Sequence, residues 1–310
     1  LHAIDGVSGK VLWRKNIVDD LGIDQKQHAI CVAWGRAGSP LVTDELVIVP
    51  AGGPLRKPTT EEPEYVSVVA YERDTGKQRW IAGDEQISFA TPILASFGGL
   101  EQVVSVNESH VAAYDLDDGA QLWEVEWPGH SNSDASCSQA VPLNGQKFFI
   151  SKGYGVGAAV FRIQVPPSDP SLPQTWDVEP VWQAATLLKT KFTNVVVHEG
   201  YAYGLSDGIL ECVNVSDGTR AWKRGRYGQG QVLRVGALLL VQAESGEVCL
   251  VRISPEAHRE VARFDAIMGQ TWNNPCLSGN RLLVRNAEEA ACYEVPVRRV
   301  PSEEVVEEKR

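Results

Sequence analysis

The chain has 310 residues, 43% of them hydrophobic and 22% charged, the balance of a chain that folds around a core rather than a disordered one. Its formal net charge is −11 and its Lys and Arg residues are scattered, which argues against a nucleic-acid partner, because phosphate-backbone binding needs a concentrated basic face. No apolar run reaches the length of a transmembrane segment.

The chain opens on Leu-His-Ala-Ile-Asp-Gly-Val-Ser-Gly-Lys-Val-Leu-Trp-Arg at 1–14. A short apolar run leads into an Asp, Ser and Gly turn, and a second run carries a Trp on one face. The unit returns at 68–80, 111–124 and 210–223. Its marker residues are Asp5, Gly9 and Trp13; Glu72, Gly76 and Trp80; Asp115, Gly119 and Trp123; Asn214, Gly218 and Trp222. The acid or amide can accept turn N–H groups, and Gly takes a positive φ without a steric penalty, so each copy predicts a β-hairpin. Strand-rich repeats of about 40 residues predict an all-β propeller, one four-stranded antiparallel blade per repeat.

With strands lettered A to D from the channel outward, residues 1–16 supply strands C and D of a first, incomplete blade. A long linker, 17–37, contains Trp34-Gly35-Arg36. The second blade is predicted at 38–43, 46–51, 65–72 and 77–82, with a Pro- and Gly-rich surface excursion at 52–64. The third uses 89–95, 101–106, 110–116 and 120–126. The fourth uses 137–142, 146–152, 157–165 and 178–185; it lacks the unit's Gly, and Trp182 stands in the aromatic place. The fifth uses 193–198, 201–206, 209–215 and 219–224. The sixth uses 231–235, 237–242, 247–253 and 259–264, with Phe264 in place of Trp. The seventh has 274–277, 281–285 and 290–295 and no strand D. Residues 1–297 thus read as one domain, and 298–310 as a charged tail.

The pattern Ala-x-Asp-x-x-(Thr/Ser)-Gly-Lys-x-x-Trp resembles the tryptophan-docking repeat of the pyrroloquinoline-quinone-like β-propellers. That superfamily holds quinoprotein alcohol dehydrogenases, the outer-membrane-protein assembly lipoprotein and bacterial quinone-binding-like propeller repeat proteins. The resemblance extends to about Val295. It implies an eight-bladed ring, of which the arc of about six to seven blades read here is part, with upstream strands closing the circle. It also implies a periplasmic, cell-surface or extracellular location.

Chemistry is harder to place. Trp13, Trp80, Trp123, Trp182 and Trp222 are periodic, and the reading for them is packing between blades. The superfamily's quinone enzymes carry an adjacent Cys pair and Ca²⁺-binding carboxylates. No two of the six cysteines here are adjacent, and none forms a Cys-x-x-Cys pair, so the sequence supports neither pyrroloquinoline quinone (PQQ) nor calcium. Cys212, Cys249 and Cys292 fall in third strands, where a small buried residue is expected. His130-Ser131-Asn132-Ser133-Asp134 follows Pro128-Gly129 and reads as an exposed loop, and Tyr154-Gly155-Val156-Gly157 has no following helix to bind phosphate. The remaining set lies on the D-to-A connections, where blades converge on the channel mouth. Trp34, Arg36, Asn194, Gln231, Trp272 and Asn273 are the candidate ligand-binding residues, with Arg36 the strongest donor. They suit a protein, or a small anionic or carbohydrate-like ligand, on a non-enzymatic scaffold; a quinone-dependent dehydrogenase is the alternative.

Overall fold

The computed structural model describes residues 1–57, 59–167, 171 and 175–296. Among them, twenty-five strands form seven antiparallel sheets, each visited in chain order. This is a β-propeller. The first sheet holds His2–Ile4 and Val11–Arg14. Five four-stranded blades follow. Their middle strands are Leu46–Gly52 and Val66–Glu72, Leu100–Val106 and His110–Asp115, Lys147–Lys152 and Gly157–Gln164, Tyr201–Ser206 and Ile209–Asn214, and Leu238–Gln242 and Glu247–Arg252. The seventh sheet holds Cys276–Ser278, Arg281–Arg285 and Ala290–Glu294. No helix among the described residues is long and apolar enough to cross a membrane.

The recurring unit folds as its residues require. In each copy the Gly N–H donates to the carbonyl four residues back, Gly9 to Asp5, Gly76 to Glu72, Gly119 to Asp115 and Gly218 to Asn214. All four glycines have φ between 70 and 78°. The Asp5 carboxylate accepts the Ser8 N–H and hydroxyl, and Asn214 Oδ1 accepts those of Ser216. A Cβ on Gly76 would lie 2.7 Å from the Trp13 ring, on Gly119 2.8 Å from Trp80, and on Gly218 3.1 Å from Trp182. The indole N–H of each donates to a carbonyl in the next blade's turn: Trp13 to Arg73, Trp80 to Leu116 and Trp182 to Val215. Trp222 donates likewise to Ser254. Trp123 meets a blade without the Gly. It stacks on Phe148 at 5.4 Å and donates to Gln102 Oε1 at 2.8 Å. The apolar core accordingly lies between consecutive sheets; one cluster joins Val104, Trp123 and Trp127 to Phe148 and Phe161, and another joins Leu205 and Trp222 to Leu239 and Val251.

Four expectations need correction. The linker 17–37 contains two short helices, Ile17–Asp20 and Gln25–Cys31; Asp24 caps the second by accepting from the Lys26 and Gln27 N–H groups. The loop 52–64 is no free excursion, because Leu55 pairs with Ile23 and Arg56 Nε donates to the Ile23 carbonyl. Inner strands are shorter than predicted, Leu41–Val42, Val141–Leu143 and Val196–His198 among them, since their leading residues are spent on contacts between blades. Cys212 and Cys249 are buried, but Cys292 is exposed, because no further sheet covers its face among the described residues. The tail reading of 298–310 lies outside the described residues.

Candidate functional site

In a four-stranded antiparallel blade, the B-to-C and D-to-A connections leave from the same end. That end is the place to look for a site, and it is where the six candidate residues lie. Two of them, Asn194 and Gln231, spend their amides on the ties between neighbouring blades. The Ser39 N–H donates to Thr91 Oγ1 at 2.9 Å, Gln139 Nε2 to the Thr91 carbonyl at 3.1 Å, and the Gln139 N–H to Asn194 Oδ1 at 2.8 Å. Gln231, 3% exposed, donates through Nε2 to the carbonyls of Phe192 and Trp272 at 2.7 and 2.8 Å. Asn194 and Gln231 therefore tie inner strands together, and their free hydrogen-bonding capacity is correspondingly reduced.

Arg36 reaches back to strand Leu46–Gly52. One Nη donates to the Pro50 and Ala51 carbonyls beyond the end of the two-residue inner strand. Its Nε and second Nη are buried without a partner among the described residues, and burial brings its pKa down to about 10. Nearby His28 is 7% exposed; its Nδ1 bonds the Gly53 carbonyl at 3.0 Å, and its Nε2 has no partner there. Burial, and then the Arg36 charge, hold His28 below its ordinary pKa. Trp34 is 62% exposed, with its ring 5.9 Å from Phe89.

Trp272 stands in a different group. Its ring lies 4.9 Å from Phe192, it remains 44% exposed, and its indole N–H donates to Glu244 Oε1 at 2.8 Å. Asn273 beside it is half-buried. Glu244 Oε2 accepts the Gln229 N–H at 2.9 Å. Burial alone would raise the Glu244 carboxyl, but the bonds from Gln229, Trp272 and Gln270 outweigh it and hold the pKa below the usual value. Glu244 also lines a cleft of 640 Å³ with Asp207, Arg226, Tyr227, Gln229 and Gln270. Among the described residues no hydrogen bond or ring contact joins Trp34 or Arg36 to Asn194, Gln231 or Trp272. The six are thus two groups rather than one constellation.

Sequence reasoning missed Glu244 because it considered D-to-A connections and passed over the B-to-C loops at the same end; Gln229 and Gln270 lie on D-to-A connections, each two residues before a chosen residue, and only the contact with Glu244 singles them out. The 130–134 loop is exposed at His130, Asn132 and Ser133 as expected, but Ser131 within it is fully buried, its N–H donating to Glu108 Oε1 and its hydroxyl to the Ile87 carbonyl. Asp134 lies 3.7 Å from the buried Lys152 ammonium, which donates to the Pro128 carbonyl at 2.7 Å. Burial pulls the Lys152 pKa down against the opposing charge of Asp134, and pushes the nearby Cys137 thiol up to about 12. A thiol held protonated in this way is a poor nucleophile.

The family model for the outer membrane protein assembly factor BamB matches residues 1–224. The chain belongs to this family. Among solved structures, BamB from Moraxella catarrhalis is 13% identical, covering 92% of this chain and 88% of that one, with a TM-score of 0.48. The computationally designed Ika8 protein is 10% identical, covering 84% of this chain and 85% of its own, with a TM-score of 0.51. The latter likeness concerns the fold alone. Comparison with curated proteins finds no match.

Proposed function

We propose that this BamB-family propeller is a non-enzymatic binding scaffold of the bacterial cell envelope, periplasmic or cell-surface, that receives a protein or small ligand at the end formed by its D-to-A and B-to-C loops. The observation that carries this reading is the pair of exposed indoles there, Trp34 and Trp272, 62 and 44% exposed, whereas Trp80, Trp123 and Trp222 are buried between blades. Exposed Trp is a common anchor at interfaces. The family's description as an assembly factor supports a protein partner. The quinone alternative is set second on the sequence alone, since no two of the six cysteines are adjacent.

Two measurements test this. A photo-crosslinking residue at position 34 or 272 should give a defined adduct in cells. The same residue at Val7, 99% exposed in a turn at the opposite end, should not. Adducts from position 7 alone would overturn the choice of face. Added PQQ and Ca²⁺ should produce neither a thermal shift nor dye reduction with simple alcohols; a shift with turnover would favour the dehydrogenase reading.

A further inference from the structure

We propose that the cleft beside Trp272 is a subsite for an uncharged oligosaccharide. This deepens the scaffold reading and rests on the loop end being the binding end. The cleft is lined by Asp207, Arg226, Gln229, Glu244 and Gln270 together with glycines, Ser245 and Tyr227, and by no Val, Leu, Ile, Met or Phe. A polypeptide side chain acting as an interface anchor wants a desolvated apolar pocket, and this lining offers none. An anion would meet the carboxylates of Asp207 and Glu244, and a cation would meet Arg226 and the Lys189 ammonium paired with Asp207. A ligand of many hydroxyls fits instead, because each hydroxyl both donates and accepts and can answer acids, amides and guanidinium alike.

Three further features favour such a ligand. Gly208, Gly228 and Gly269 have φ of 79, 69 and 87°, so the backbone forms part of the wall without projecting side chains. The side-chain carbonyl of Gln229 is buried and unpartnered among the described residues, an acceptor short of a donor. Arg226 is exposed, and its guanidinium makes no hydrogen bond or ion pair among them. The Tyr227 hydroxyl, by contrast, is taken up by His258 Nε2 at 2.9 Å and Glu260 Oε2 at 2.7 Å, and the residue is 3% exposed in the core between two blades, so Tyr227 is a rigid floor and not a ligand contact. At the rim stands Trp272. Its orientation is held by the hydrogen bond to Glu244 and the ring contact with Phe192, while 44% of the residue stays exposed. A preset aromatic plane beside convergent polar groups gives a sugar ring an apolar face to stack on and an edge to bond. The volume of 640 Å³ falls within the span of small-ligand clefts, about 300–1,000 Å³.

The experiment titrates the whole chain with maltotriose, cellotriose and triacetylchitotriose, reading tryptophan fluorescence and calorimetric heat. At least one should bind with a dissociation constant below about 10 mM, and Trp272→Ala should weaken it about ten-fold or more. Gln270→Ala, at the rim and outside the blade core, should weaken it as well and serves if the Trp272 variant fails to fold. No binding by any of the three, or equal binding by wild type and both variants, would overturn the assignment. So would a charged trisaccharide such as trigalacturonate binding about ten-fold tighter than every neutral one. If none binds while a crosslinker at position 272 still captures a partner, the saccharide subsite fails and the scaffold reading stands.

Discussion

Trp123 shows how much one side chain can hold when its turn partner is lost. Four of the five strand-D tryptophans donate to a carbonyl in the next blade, three of them against a glycine, but the fourth blade offers Trp123 neither. The ring instead stacks on Phe148, edges against Phe97 at 6.2 Å, and donates within its own blade to Gln102, which is itself fully buried. Trp123→Ala should destabilise the chain by about 3–5 kcal/mol in chemical denaturation, the range for deleting a buried large aromatic. Trp123→Phe keeps part of the ring but strands the Gln102 acceptor, and should cost about 1–3 kcal/mol. A loss near zero for the Ala variant would mean that the ring is not packed between blades. The periodicity of Trp123 was legible in the sequence. Its partners were not, because Phe148 and Gln102 sit on strands whose facing depends on how two blades meet.

At the level of the hairpin, the glycine has two jobs that can be separated. Gly119 has φ of 78° and would place a Cβ 2.8 Å from Trp80; Gly9 has φ of 70° and nothing within 4 Å. Gly9→Ala should therefore cost only the left-handed backbone term, about 1–2 kcal/mol. Gly119→Ala should cost that plus the displacement of Trp80, about 1–3 kcal/mol more by analogy with overpacked cores. Equal losses in urea denaturation would show that the indole moves aside freely. Strands B, C and D fell close to their predicted places because alternation and turn residues are local signals. The linker helices and the inner-strand lengths did not. Gln25–Cys31 carries a capping Asp24 but little apolar period, and the loops that tie blades are specified by contacts with residues about 50 positions away, such as Gln139 with Asn194 and Ser39 with Thr91. The same distance hid the candidate site: Glu244 and Trp272 meet only once the sixth and seventh blades are adjacent.

Across the whole molecule, stability should follow the number of neighbours each blade has. The apolar clusters among the described residues each span consecutive sheets, so a blade flanked on both sides shares two of them, whereas the first and last sheets there share one. The exposures agree. Ile4 and Leu12 in the first sheet are 56 and 60% exposed and Leu283 in the last is 46%, while Val104, Val111 and Ala113 of the third blade are 2% or less. Edge pairing is also incomplete at both ends: among the described residues His2–Ile4 pairs only with Val11–Arg14, and Ala290–Glu294 only with Arg281–Arg285. In an array held by nearest-neighbour interfaces, opening starts where the packing is thinnest, here the first and last sheets of the described residues, and moves inward. Native-state hydrogen exchange of the 310-residue chain should therefore be slowest in Leu100–Val106 and His110–Asp115. It should be faster in His2–Ile4 and Ala290–Glu294 by at least about 100-fold, equivalent to about 2.7 kcal/mol. Trp13→Ala should then speed exchange in the first sheet and in Val66–Glu72, which it covers, and leave Ile209–Asn214 unchanged. Uniform protection across all seven sheets, or a Trp13→Ala effect that reaches the fifth blade at full size, would show that the propeller unfolds as one unit, and the nearest-neighbour account would fail.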